Sequence, residues 1–422
     1  MSFLLKPINP SKYKFVADNL CDTFYVADIK IFQSNFNNLL KEFQMFYQNT
    51  IIAYSYKTNY APSFCSKVKN LNGYAEVVSD MELQLAKYLG VPDEMIFFNG
   101  PSKSIVSSLS HLMQGGLVNI DNMTELDELI ENIPNYNEKK LRVGLRCNFS
   151  SKTDLQSRFG FDVTNAEFER AVALVLKNKH LKLSSLHVHN AGRDIATWSE
   201  TVSNMIETIS QMKTKQLSEI EYISLGGGLY GGMPEALSSQ LAETIPTFSQ
   251  YAEVSAKLFA AFVKEHKKYG FTPKLVIEPG TALVADAMQF VCRVKSVKKI
   301  NGKTFVNLSG SGHNLGTITS KLNLPIKIIT TSKSIQKIDL VNADFVGYTC
   351  IESDRLYEGF NGKIAIGDLV VFDCVGSYSI VMKPPFILPN VPVVEISDSD
   401  NNFNVLKRQE TFNDIFNTYV MP

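Results

Sequence analysis

Between about residues 24 and 280, short apolar, β-branched runs alternate with stretches of helical periodicity, and this alternation restricts the fold more than any other feature of the sequence. The runs fall at Thr50–Tyr54, Gly73–Val77, Met95–Phe98, Leu117–Ile120, Arg142–Arg146, Ser185–His189, Tyr222–Leu225 and Lys274–Ile277. A strand reached again only through a helix lies parallel to its predecessor. Helix starts are expected at Ser79-x-x-Glu82, Thr124-x-x-Asp127 and Thr164-x-x-Glu167, where a hydroxyl caps the helix and an acid three residues on reaches back. Eight such strands predict an α/β fold with a (β/α)8 barrel, whose chemistry sits on the loops at the C-terminal strand ends.

Beyond residue 282 the texture changes to short apolar strands between turns: Phe290–Val297, Thr304–Leu308, Ile326–Thr330, Leu369–Cys374 and Ser379–Met382. They predict a C-terminal β-sandwich or β-barrel domain, on which the first two dozen residues are expected to pack. The expected domains are therefore 24–281 for the barrel and 1–23 plus 282–422 for the β-domain, a natural division of 422 residues. Lys plus Arg and Asp plus Glu balance at 42 each, so no net field favours nucleic acid or an anionic membrane. A small-molecule partner and a cytoplasmic location are expected. The six cysteines are scattered without metal-ligand spacing.

Several strand ends carry residues capable of chemistry. The run Ile51–Tyr56 ends on Lys57, and a lysine at a barrel mouth, desolvated and near other cations, becomes a nucleophile towards an aldehyde. Alone it reads more readily as a solvated charge. Glu278, in Ile277-Glu278-Pro279-Gly280-Thr281, is either a turn acid or a carboxylate able to keep a pyridine nitrogen protonated. Gly226-Gly227-Gly228 is either a flexible turn or a place where backbone N–H groups approach a phosphate. His187 and His189 share one strand face; without a third ligand at suitable spacing no metal site is expected, and His189 is either a core histidine or a ring suited to stacking on a cofactor.

Taken in order, these segments resemble the fold-type III pyridoxal-phosphate (PLP) decarboxylases, which act on ornithine, arginine, diaminopimelate or carboxynorspermidine and share a barrel with alanine racemase. Phe24-Tyr25-Val26-Ala27-Asp28 looks like the family's opening strand and Tyr54-Ser55-Tyr56-Lys57-Thr58-Asn59 like its cofactor-lysine strand. The resemblance implies Lys57 as the Schiff-base lysine, with Glu76, Arg146, His189, Gly226 to Gly228, Glu278, Gly280, Thr281 and Tyr378 around the cofactor. Glu76 lies with Ser79 and Glu82, and Arg146 precedes an Arg158-Phe159-Gly160 segment, as in the family. Cys350 and Asp354 match a C-x-x-x-D element that reaches the partner subunit's site in a homodimer. Cys350 would be the proton donor, and Cys350, Asp354, His313 and Arg355 are the expected substrate ligands.

Two departures stand out. The family's Glu-Pro-Gly-Arg reads Glu278-Pro279-Gly280-Thr281, and its His-x-Gly-Ser reads His189-Asn190-Ala191-Gly192. Both lean towards the carboxynorspermidine branch and allow a substituted amino acid, such as one bearing a 3-amino-3-carboxypropyl group, as substrate. The implied reaction is loss of the α-carboxylate followed by reprotonation from Cys350. The rivals are an amino-acid racemase on the same barrel and a catalytically silent, decarboxylase-like binding protein.

Overall fold

The computed structural model describes residues 8–134, 139–149, 157–242, 244–316, 322–331, 336–398 and 401–420. The chain separates into two compact units, one made of Gln33–Tyr230 and Ile245–Ala282, the other of the described parts of Met1–Phe32, Gly231–Thr244 and Leu283–Pro422.

In chain order, β1 (Phe24–Ala27) precedes the first unit's strands: β2 (Thr50–Ser55), β3 (Tyr74–Val77), β4 (Ile96–Phe98), β5 (Leu117–Ile120), β6 (Leu141–Asn148), a two-residue β7 (Phe161–Asp162), β8 (Leu181–His187), β9 (Tyr222–Ser224) and β10 (Lys274–Ile277). All their pairings are parallel. β5 meets β6 and β10 meets β2, so β2, β3, β4, β5, β6, β8, β9 and β10 close into the expected eight-stranded barrel, with β7 beside β6. The strands read as continuous apolar runs because both faces are covered.

The barrel interior follows the two-residue period of a strand. Ala53, Tyr74, Phe97, Leu117, Tyr222 and Val276 form one buried cluster. In it the Tyr74 and Phe97 rings stack at 5.4 Å, and Tyr222 meets Phe97 edge-on at 5.0 Å. Lys274 donates to the Tyr74 hydroxyl at 3.0 Å. One pleat further along each of these six strands stand Ser55, Glu76, Asn99, Asn119, Ser224 and Glu278, all buried and all polar. The barrel is thus plugged by aromatics at its N-terminal end and polar at its C-terminal end.

Of the three expected helix starts, Ser79 caps as anticipated, accepting from Glu82 N at 3.2 Å. The other two are corrected: Asn122 and Asn165 are the caps, accepting from Glu125 N at 3.0 Å and Glu167 N at 3.2 Å. Asparagine caps as well as serine and better than threonine, so the nearer asparagine prevails.

The second unit contains β1 and continues with β11 (Met288–Ile300), β12 (Lys303–Leu308), β13 (Ile326–Ile329), β14 (Ile338–Val346), β15 (Arg355–Ile364), β16 (Leu369–Phe372), β17 (Val393–Ile396) and β18 (Phe403–Lys407). Their order is β15-β14-β12-β11-β1-β17-β18, with β16 joining β11 and β13 joining β16. β1, expected at the start of the barrel, instead pairs antiparallel with β11 and parallel with β17. The helix Pro10–Asn19 lays Tyr13, Val16 and Ala17 against Phe24, Val291 and Leu369. The strand expected at Ser379–Met382 is absent: Cys374 and Tyr378 both take left-handed φ, 63° and 57°, which turns the chain out of the extended form. No helix among the described residues is long and apolar enough to cross a membrane.

Candidate active site

Every barrel strand delivers a polar side chain to the C-terminal mouth. Lys57 lies just beyond β2, in a single 3-10 turn, and its Nζ forms an ion pair with Glu76 Oε2 at the end of β3. The Ser55 hydroxyl donates to Glu278 O at 3.1 Å and Ser55 N to Pro279 O at 3.1 Å, so the lysine strand is tied to the loop after β10. Gly280 in that loop is obligatory in size, since a Cβ there would sit 1.9 Å from Thr58 Oγ1.

Glu278 is the centre of the hydrogen bonding. Its Oε1 accepts from Ser224 Oγ at 2.8 Å and from Asn99 Nδ2 at 3.0 Å, and its Oε2 faces His187 Nε2 at 3.1 Å. Burial alone would push this carboxyl up. The charge and hydrogen bond of His187, the charge of Lys57 and the Ser224 hydroxyl outweigh that and hold it below the ordinary carboxylate range. A carboxylate only accepts, so His187 Nε2 carries the proton that faces it. Sequence reasoning missed Asn99, Asn119 and Ser224; each stands two residues past a core residue of its strand, which is the signal that would have found them.

His189 lies two residues past the end of β8, and its Nδ1 accepts from Gly227 N at 2.9 Å. Burial first, and the charge of Lys57 second, lower its pKa to about 3, so the ring is neutral with its proton on Nε2. The glycine turn is tightly built. Gly226 and Gly228 take φ of 72° and 88°, a Cβ on Gly227 would lie 2.4 Å from Glu278 O, and Trp198 Nε1 donates to Gly228 O at 3.1 Å. Arg146, on β6, bonds Asp121 Oδ1 at 3.3 Å while its guanidinium lies 4.6 Å from the Phe159 ring centroid. Thr281 opens the short helix Thr281–Val284.

The remaining expected site residues belong to the second unit. Cys350 is exposed. Asp354, expected among the substrate ligands, is buried and already fully engaged. Its Oδ1 accepts from Gly312 N at 2.7 Å and Ser311 Oγ at 2.9 Å, and its Oδ2 from Thr349 Oγ1 at 2.6 Å and Thr349 N at 3.2 Å. It clasps two loops together. Arg355 faces Asp344 Oδ2 at 3.6 Å and Glu358 Oε1 at 3.5 Å, and the His313 ring meets Phe386 edge-on at 6.2 Å. Tyr378 occupies the left-handed turn already described.

A closed parallel barrel whose mouth holds a lysine, two carboxylates, a neutral histidine and a glycine turn defines a barrel enzyme with a nucleophilic lysine. The family profile of the pyridoxal-dependent decarboxylases, pyridoxal-binding domain, matches residues 32–285, and the chain belongs to that family. The diaminopimelate decarboxylase of Methanocaldococcus jannaschii is 25% identical, the match covering 96% of this chain and 93% of that one. The Bacillus subtilis diaminopimelate decarboxylase is 24% identical over 95% and 92% of the two chains. Among solved structures, the M. jannaschii diaminopimelate decarboxylase in co-complex with L-lysine superposes with a TM-score of 0.80 at 23% identity, over 96% of this chain and 94% of that one. The arginine decarboxylase of Paramecium bursaria Chlorella virus gives 0.69 at 18%, over 90% and 97%. The chain is therefore a PLP-dependent carboxy-lyase, as the sequence led us to expect.

The residues present fit that cofactor. Glu278 is an ionised, buried carboxylate suited to a pyridinium nitrogen, His189 offers a neutral flat face, and the glycine turn leaves backbone where any side chain would collide.

Proposed function

We propose that this chain removes the α-carboxylate from an amino acid of the diaminopimelate type, one whose far end carries a second ionised group. The observation that carries the reaction is the convergence of Lys57, Glu76 and Glu278, from three strands, at the C-terminal end of the barrel. The substrate class rests on relatives named diaminopimelate decarboxylases that match this chain over nearly its full length. Ornithine-, arginine- and carboxynorspermidine-like amino acids, and a substituted amino acid bearing a 3-amino-3-carboxypropyl group, remain in the test panel. Bound PLP supplies an electron sink for the electron pair released when carbon dioxide leaves.

The chain's own groups then divide the work. Lys57 Nζ would hold the cofactor, with Glu76 as the carboxylate beside that nitrogen. Glu278 would partner the ring nitrogen and His189 the ring face, with Arg146 adding positive charge nearby. The N–H groups of Gly226 to Gly228, the Gly280 turn and the hydroxyls of Thr281 and Tyr378 would take the phosphate. The Thr281 hydroxyl thus stands in for the family arginine. Cys350 Sγ, brought from a second copy of the chain in a homodimer with shared sites, would give the α-carbon its proton. His313 and Arg355 would face the far end of the substrate, and Asp354 would fix the loop that bears Cys350.

The test is an absorbance spectrum of the purified protein with PLP before and after borohydride, followed by peptide mapping. Carbon dioxide release is then assayed with meso-diaminopimelate, ornithine, arginine and carboxynorspermidine. A band fixed on Lys57 together with release from diaminopimelate supports the reading. Labelling elsewhere overturns the site, and release from another substrate alone overturns the substrate class.

A further inference from the structure

Two carboxylates share the buried mouth of the barrel, and like charges so placed ordinarily resist being ionised together. Asn99 stands between them. Its Nδ2 donates to Glu278 Oε1 at 3.0 Å and to Glu76 Oε1 at 3.3 Å, which uses both amide hydrogens. His187 Nε2 lies 3.5 Å from the same nitrogen and directs its own proton to Glu278 Oε2, so the two donors sit side by side without competing.

The amide cannot turn over. Its Oδ1 accepts from Asn119 Nδ2 at 2.6 Å, and a flipped Asn99 would aim its oxygen at two carboxylates and its nitrogen at another donor. Asn119 is itself held: buried Lys103 donates to its backbone carbonyl at 3.0 Å and pairs with Glu125 Oε1 at 2.8 Å. Space for its side chain exists only because residue 144 is glycine, since a Cβ there would lie 1.8 Å from Asn119 Oδ1.

We propose that Asn99 is a positioning residue of this site: turned by Asn119, its amide gives one N–H to each of Glu76 and Glu278 and so lets both carboxylates share the mouth. The inference rests on the proposed role of the mouth as the PLP site. Glu76 then serves the nitrogen of Lys57 and Glu278 the ring nitrogen, each with its place fixed by one common donor. The other charged or titratable groups facing the pair are Lys57, Glu82, Arg146, His187 and His189. Lys57 and Arg146 act on both carboxylates through their charge, whereas Asn99 gives a hydrogen bond to each.

The test is a pH titration of the bound-cofactor absorbance in the holoenzyme. Asn99→Leu keeps the volume and removes the donor. One carboxylate should then take up its proton more readily, moving the acid limb of the titration up by about one pH unit. Asn119→Ala leaves Asn99 in place but frees its amide to turn, and should move the same limb the same way by less; it also carries the test should the leucine protein not fold. Acid limbs that overlay the wild type in whichever variants hold cofactor would reduce Asn99 to packing and overturn the inference alone. A wild-type protein with no borohydride-fixed band on Lys57 would overturn the PLP site and this inference together.

Discussion

The two units of the chain both bury carboxylates, and they treat them in opposite ways. In the second unit several buried acids are satisfied on the spot by neighbouring backbone and side-chain donors. Asp354 takes four donors from two loops, Asp368 accepts from Ala365 N and Thr331 N, and Asp344 pairs with Lys303 at 2.8 Å and accepts from Gly359 N at 3.0 Å. In the barrel unit Glu76 and Glu278 are pooled instead, joined through Asn99 and opposed by Lys57 and His187. A buried acid with a local set of donors holds loops together, because removing it leaves those donors unpaired. Acids gathered from several strands at one point are poised for chemistry, where fixed charge matters most.

That contrast breaks first at Lys57. Lys57→Ala should lower decarboxylation by roughly 10³-fold or more and abolish the borohydride-fixed label, with the fold intact by circular dichroism. An alanine protein that still turns over at the wild-type rate would remove the lysine from the reaction. Next in size is Glu278→Gln, which keeps the shape and deletes the charge. Its rate should fall by roughly 10²- to 10³-fold while the melting temperature moves little. If the melting temperature collapses and the residual rate per folded molecule is normal, Glu278 belongs with the structural acids and the contrast fails.

Much of this was legible in the sequence, and the reasons differ between the units. The barrel strands announce themselves because a strand covered on both faces must be apolar along its length, as in Thr50-Ile51-Ile52-Ala53-Tyr54. Lys57 and Glu278 stood out because charge follows such a run abruptly. Asn99 did not, since an asparagine after a strand is ordinarily a turn residue, and Asn119 did not, since it is a single uncharged polar residue inside the apolar run Leu117–Ile120. Only the two-residue offset from Phe97 and Leu117 puts them inside the barrel. In the second unit β14 and β15 were missed because their sequences are polar and interrupted. Asn342 at φ 49° and Gly359 at φ 74° accompany register shifts that no simple alternation reveals. β1 was placed on the wrong sheet because its pairing with β11 joins residues more than 260 positions apart, beyond the reach of local pattern.

The second unit's side of the contrast is tested by Asp354→Ala. Four donors would lose their acceptor, at a cost to stability of about 3 kcal/mol or more, read as a lower melting temperature. Asp354→Asn should recover part of it, since one amide oxygen can still accept. An alanine variant that melts like the wild type would show the clasp to be dispensable.

The smallest effect sharpens the rule at a carboxylate that belongs to neither set. Glu82 is buried in the barrel unit and accepts Val78 N at 2.8 Å. Burial, reinforced by the charge of Glu76, overcomes that bond and the pull of Lys57, and raises its pKa to about 7. The folded state therefore holds a proton that the unfolded chain gives up near its ordinary value of 4.5. The associated stability is fully present below about pH 4.5 and is lost as pH rises through about 7. Glu82→Gln keeps an acceptor for Val78 N and cannot ionise. Its stability should match the wild type near pH 4 and exceed it by about 2 kcal/mol at pH 6, measured by urea unfolding at the two values. Stability curves that run parallel across this range would mean that Glu82 is ionised at no cost in the folded protein. A single backbone donor would then satisfy a buried carboxylate here as fully as four do at Asp354.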